Sequence, residues 1–390
     1  MKVQNQDKKK RNNNIITVIV MAGLFFSISF LSWFQKDKLY SESERRILKS
    51  FPKISFETVL EGKFMEEFEA YCLDQFPFRD SFRSLKAMVK YGILGQKDNN
   101  GIYLAKGHLS KMEYPIQGEM LDYASQKFNF IYETYLKQQG SKCYFAIVPD
   151  KNYVLAEESG YLSLDYEELF SYMEQKMQFA KFLDITPYIS LEDYYKTDTH
   201  WRQECILDVA YFLKESMSGE SKEIMSEEII LKAHEELAQY EVNVLKNPFY
   251  GVYYGQAALP VEPDTIYYLN NEALKECKVT SFDTGKPQET VIYNMEKGWG
   301  KDPYELFLSG TSALQIIENP LVKETKELII FRDSFGSSLI PLLVKDYSKI
   351  TVIDIRYVQS NQLRNFIDFH GQDTLFLYST VILNNSLSLR

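Results

Sequence analysis

The alternation between Glu327 and Ser379 constrains this fold more than any other stretch of the chain. ELIIF (Glu327 to Phe331) reads as a strand, Phe335 to Lys345 as a helix, and ITVIDI (Ile350 to Ile355) as a strand. Gln359 to Phe369 reads as a second helix and TLFLYS (Thr374 to Ser379) as a third strand. Apolar runs this short and continuous suit strands buried on both faces. A β-α-β-α-β succession of them predicts a parallel sheet covered by helices on each side. Functional groups in such sheets gather beyond the carboxyl ends of the strands. The same alternation is visible upstream, with helices over Leu121 to Gln138, Asp165 to Lys181 and Arg202 to Met217 and a buried strand over Cys143 to Pro149. FLDI follows the second of these helices. Residues 218–300 break the pattern, being charged at first and then rich in tyrosine and turns. An insertion or substrate-facing lobe is expected there.

Directly after ELIIF stands RDSFGSS, Arg332 to Ser338. A serine between a strand end and a helix start can present its hydroxyl at the rim of the sheet. The N-H groups of the helix start then face any negative charge that develops beside it. Ser334 is therefore a candidate nucleophile, although Asp333 or Ser334 can equally be read as the cap of the helix. A serine needs a base, and a base is best held by a carboxylate. TDTHW supplies both, Asp198 and His200, two residues apart and able to face one way in extended backbone. Read alone, Asp198 is also a helix cap. Of the other histidines, His108 lies in a turn, His234 among glutamates and His370 before a glycine. No H-x-H or H-E-x-x-H spacing marks a metal site, and no cofactor motif is present.

The N-terminus differs from the rest. Lys2, Lys8, Lys9, Lys10 and Arg11 precede an uncharged run from Ile15 to Phe34, about the length of a membrane-crossing helix. The charge bias places residues 1–14 in the cytoplasm and everything after Phe34 outside, with an uncleaved anchor preferred over a signal peptide. Residues 35–95 read as a juxtamembrane helical segment with a boundary at Phe76-Pro77. Residues 96–390 read as the main domain. A net charge of -10 with no basic stripe beyond the N-terminus argues against nucleic acid. Cys72, Cys143, Cys205 and Cys277 form no C-x-x-C pair, which leaves a zinc ribbon or redox motif unsupported.

Asp-x-His-Trp at 198–201 followed far downstream by R-D-S-F at 332–335 resembles the DHHW and alginate O-acetyltransferase (AlgJ/AlgX-like) branch of the SGNH-hydrolase superfamily. SESERRILKSFP (41–52), EGKFMEEFEAYCLDQFPFRDSF (61–82), NNGIYLAKGHL (99–109), VPDK (148–151) and FLSG (307–310) resemble other blocks of that branch, in the same order. The resemblance implies a three-layer α/β/α fold with a mostly parallel sheet and a permuted order of catalytic blocks. It implies Ser334 as nucleophile, His200 as general base and Asp198 as its orienter. The N-H of Ser334 and Gly310 are the implied oxyanion donors, with the amide of Asn384 or Asn385 as a further candidate. Tyr253, Tyr254 and Arg332 are candidates for substrate contact. Two departures stand out: DTHW lacks the second histidine often found there, and RDSF replaces GDSF. The implied activity is O-acyl transfer, with acetyl the first candidate, to a cell-surface or exported polysaccharide. A membrane-bound O-acyltransferase would supply the acyl group. An esterase, or a binding protein on an inherited scaffold, are the alternatives.

Overall fold

The computed structural model describes residues 2–41, 43–44, 46–218 and 226–390, with side chains from residue 11 onward. Met1 of the expected tail, Glu42 and Arg45 of the SESERRILKSFP block, and residues 219–225 of the expected lobe lie outside the described residues. The chain forms two compact units, residues 1–96 and 97–390.

In the first unit, α1 (Lys2–Phe34) contains the stretch Arg11–Phe34, long and apolar enough to span a membrane or to serve as a signal sequence. Helices Lys63–Asp74 and Arg79–Met88 flank Phe76-Pro77, where proline interrupts the helical pattern. Charges hold the region together. Arg46 Nη1 donates to Asp74 at 2.8 Å, while Arg79 and Arg83 reach Glu44 at 2.6 and 3.3 Å.

The second unit is built on an eight-stranded sheet. Its strands are β1 (Cys143–Val148), β2 (Lys181–Phe182), β3 (Lys278–Ser281), β4 (Gln288–Thr290), β5 (Leu314–Glu318), β6 (Glu327–Arg332), β7 (Lys349–Ile353) and β8 (Asp373–Ser379). They lie in the order β4-β3-β5-β7-β6-β8-β1-β2. From β7 to β2 all neighbours are parallel, whereas β5, β3 and β4 form an antiparallel edge. The two edge strands β3 and β4 come from residues 218–300, so part of that region completes the main sheet.

Side chains alternate across the sheet as the two-residue period of a strand requires. Tyr144, Ala146, Val148, Leu328, Ile330, Leu375 and Leu377 enter one core with α4 (Leu207–Met217), α5 (Ser226–Leu237) and α7 (Gly336–Leu343). Phe145, Ile147, Ile329, Phe331, Phe376 and Tyr378 enter the other, with α2 (Gly118–Ile131) and α3 (Tyr166–Lys176). The result is a three-layer α/β/α fold. Each fully buried Leu, Ile or Phe contributes about 1.5–3 kcal/mol. With both faces covered, the central strands carry apolar residues at successive positions.

One expected helix differs. Gln359 to Phe369 contains only the 3-10 turn Ser360–Asn365, whose first N-H, that of Ser360, donates to Arg390 O. Ser and Asn in SNQLRN also compete poorly as helix formers. FLDI contributes only its phenylalanine to a strand, since β2 is two residues long.

Candidate active site

Ser334 stands one residue past Asp333 at the carboxyl end of β6, two residues before α7 begins. From Leu328 to Val344 it is the only residue that is not buried. The two readings of RDSF separate here. Asp333 shapes the turn, its Oδ1 accepting from Phe335 N at 3.0 Å and its Oδ2 from Ser379 N at 2.7 Å. The Ser334 hydroxyl is thereby left for another partner, and His200 Nε2 lies 2.8 Å from its Oγ.

His200 belongs to a tight loop closed by a bridge between Tyr194 and Trp201 and by the Tyr195 N-H donating to His200 O. No α-helix starts at Trp201, so Asp198 is not a helix cap. Its Oδ1 accepts from His200 Nδ1 at 2.6 Å and from the His200 N-H at 3.1 Å. Its Oδ2 accepts from Val252 N at 2.8 Å. Both lie largely out of water, with side-chain exposure of 1% for Asp198 and 12% for His200. A carboxylate on Nδ1 sets the tautomer in which Nε2 can accept a proton from the serine.

Residues with no motif complete the setting. The Tyr304 ring stacks on the His200 imidazole at 3.9 Å and 8°, and its hydroxyl donates to Ser334 O at 3.3 Å. Burial pushes the Tyr304 phenol well above its ordinary range, which keeps it a donor. Trp201 Nε1 donates to Phe335 O at 2.9 Å and Gln203 Nε2 to Ser338 O at 2.8 Å, tying the histidine loop to the serine turn. Trp201 was part of the recognised motif. Tyr304 carried no signal in the sequence, since only the fold brings Tyr304 to the imidazole face.

The other candidates fare differently. Among the described residues nothing accepts from the Ser334 N-H. Leu308, Ser309 and Gly310 all have left-handed backbone, and this curl returns the Gly310 N-H to Phe307 O at 3.0 Å. The Asn384 amide binds the chain before α2, accepting from Gln117 N at 2.7 Å and donating to Pro115 O at 3.1 Å. Asn385 donates to Val381 O. Arg332 does not reach the surface. It is 1% exposed, its guanidinium enclosed by Asp333 O at 3.2 Å, Gly310 O at 3.5 Å and Asp354 at 4.0 Å, and burial lowers its pKa. Tyr253 is buried with its hydroxyl on Thr199 at 3.1 Å, which withdraws its ring from a sugar. Tyr254 is half-buried and packs against the exposed Tyr250 at 4.6 Å.

GVYYG is a short helix, α6 (Val252–Ala257), whose amino end holds the Asp198 segment. Gly251 N donates to Thr197 Oγ1 at 2.9 Å, and Tyr253 N and Tyr254 N to Thr197 O at 3.0 and 3.1 Å. A Cβ on Gly251 would lie 2.4 Å from Asp198 Cα and from Thr197 O. Backbone at that distance must move. Gly251→Ala is expected to destabilise by about 1–3 kcal/mol, as overpacking does, and to cut turnover at least tenfold by shifting Asp198. Urea denaturation and steady-state kinetics check both.

Among the described residues no cluster of His, Cys, Asp or Glu has the arrangement of a metal site. His108 faces Lys106 O, His234 lies on α5, and His370 contacts Gln372. All four cysteines are free thiols, and burial pushes those of Cys143, Cys205 and Cys277 up to about 12.

The model of the family described as DHHW protein matches residues 179–353, a span containing Asp198, His200 and Ser334. No curated protein matches. Among solved structures the chain is similar to a DHHW family protein from Eubacterium siraeum DSM 15702, at 20% identity and TM-score 0.56, covering 75% of this chain and 95% of that one. It is similar to Bacillus cereus PatB1 at 17% identity and TM-score 0.56, covering 72% and 96%. PatB1 with a sulfonyl adduct gives 17% and 0.55, covering 72% and 97%. At these identities the likeness is one of fold.

Proposed function

We propose, from the premise that residues 179–353 carry the DHHW family pattern, that the chain is a membrane-anchored, extracytoplasmic O-acyltransferase using Ser334, His200 and Asp198. The observation that carries this reading is the unbroken line from Asp198 Oδ1 to His200 Nδ1 at 2.6 Å and from His200 Nε2 to Ser334 Oγ at 2.8 Å. It ends on a serine that solvent can reach.

In the first half-reaction Ser334 Oγ attacks the acyl carbonyl while its proton passes to His200 Nε2. The carbonyl oxygen takes up negative charge beside the Ser334 N-H and the amino end of α7. The intermediate collapses, the acyl-oxygen bond of the donor breaks, and His200 returns the proton to the departing alkoxide. In the second half-reaction a sugar hydroxyl gives its proton to His200 and attacks the acyl-serine; the bond from the acyl carbon to Ser334 Oγ breaks, His200 returns the proton to Oγ, and the new ester leaves. Acetyl is the acyl group and a cell-surface or exported polysaccharide the acceptor in this reading. Tyr250 and Tyr254 offer accessible aromatic surface for a sugar ring. The apolar stretch Arg11–Phe34 supports an anchored enzyme, and in this reading a membrane-bound acyltransferase supplies the acyl group.

The test is the full chain in detergent, given 4-nitrophenyl acetate with and without an oligosaccharide acceptor. The acceptor should accelerate nitrophenol release and gain acetyl groups by mass spectrometry. Hydrolysis with no acetylated oligosaccharide at any acceptor concentration would replace the transferase with an esterase. No turnover at all, with no acyl-enzyme, would leave a binding protein.

A further inference from the structure

Lys151 follows β1 and is 1% exposed. Its Nζ donates to three main-chain carbonyls, Leu109 O at 2.8 Å, Tyr195 O at 2.5 Å and Asp198 O at 2.7 Å. An ammonium has three hydrogens, so all three are used. The Tyr253 ring lies 5.5 Å from Nζ. Its own place in the chain is secured by its neighbours. Asp150 accepts from Thr380 Oγ1 at 2.8 Å and Tyr166 at 3.0 Å, and Asn152 accepts from Tyr103 at 2.7 Å and Ser110 at 2.9 Å.

The loop that Lys151 grips carries a second restraint of opposite sign. Asp264 accepts from Lys196 N at 2.8 Å, from Thr197 N at 2.7 Å and from Thr197 Oγ1 at 2.6 Å. A cation collects the carbonyls of Tyr195 and Asp198, and a carboxylate collects the amides of Lys196 and Thr197 between them. A buried ammonium is a costly way to fill space, and an apolar side chain of similar length would avoid its desolvation. Burial pushes Lys151 down to about 7, while Asp264, Asp198 and Asp150 pull the other way. What the apolar side chain would not do is gather Tyr195 O and Asp198 O, the carbonyls that bracket the turn into Asp198 and His200.

We propose that Lys151 is a positioning residue that holds the Asp198-His200 pair in line with Ser334 through the carbonyls of Tyr195 and Asp198. The inference rests on the proposed role of the Ser334 site. It assigns VPDK a part in the reaction although Lys151 touches no reacting atom.

The experiment compares wild type, Lys151→Met and Lys151→Gln in the full chain. It measures kcat and KM for 4-nitrophenyl acetate and the rate at which phenylmethanesulfonyl fluoride labels Ser334, mapped by peptide mass. Lys151→Met should lower kcat and the labelling rate at least thirtyfold while KM stays within threefold. Gln keeps two N-H donors and should fall between, at about tenfold. If wild-type Ser334 takes no label, the reading of the site fails. If wild type labels and both folded variants label within threefold of it, the Lys151 proposal alone falls. Loss of the wild-type near-ultraviolet spectrum in both variants would reduce Lys151 to scaffold and overturn it too.

Discussion

Ser334→Ala is expected to lower kcat by about 10⁴-fold or more, as removal of a triad nucleophile does, and to abolish labelling by a serine-directed probe. The fold should survive, because the side chain that shapes the turn is Asp333. Its bonds to Phe335 N and Ser379 N are untouched by the change. The measurement is turnover of an acetyl ester together with intact mass after treatment with phenylmethanesulfonyl fluoride. A variant that still turns over at the wild-type rate, or still takes the label at the same peptide, would remove Ser334 from the mechanism.

Asp198→Asn should be nearly as damaging, with a loss of about 10⁴ in kcat. Asparagine matches the carboxylate in shape but offers one acceptor oxygen in place of two. Val252 N needs an acceptor at the Oδ2 place. With the amide oxygen kept there, the NH₂ takes the Oδ1 place, so the weaker bond from the His200 N-H is lost and the NH₂ faces His200 Nδ1. That reverses the hydrogen bond and places the imidazole proton on Nε2, where it can no longer accept from Ser334. The expected signature is a fall in kcat with KM little changed and the thermal midpoint within a few degrees of wild type. A variant retaining a tenth of wild-type kcat would show that the orientation of His200 does not depend on the carboxylate.

The legibility of this protein differed between fold and site. The strands ELIIF, ITVIDI and TLFLYS were readable because a strand covered on both faces must be apolar at successive positions, and few other structures require that. The second crossover was not readable. SNQLRN folds as a 3-10 turn whose first N-H meets the carbonyl of Arg390, more than twenty residues away in sequence, a contact that no local pattern shows. Among site residues, Asp198, His200 and Ser334 stood in short motifs whose chemistry limits what can surround them. For Gly310, Asn384 and Arg332 the sequence does not say where an N-H, an amide or a guanidinium is aimed.

The sequence by itself determined an α/β chain with a parallel core, an apolar N-terminal segment, a serine just after a strand, and a carboxylate two residues before a histidine. Those properties are local: hydrophobic period, charge and neighbouring residue types decide them. Only the tertiary structure decided that His200 Nε2 meets Ser334 Oγ, that Tyr304 covers the imidazole, and that Lys151 and Gly251 hold the Asp198 turn. Each of these depends on groups far apart in the chain arriving within hydrogen-bond or van der Waals distance. No local pattern encodes such a meeting, because packing of the whole domain sets it.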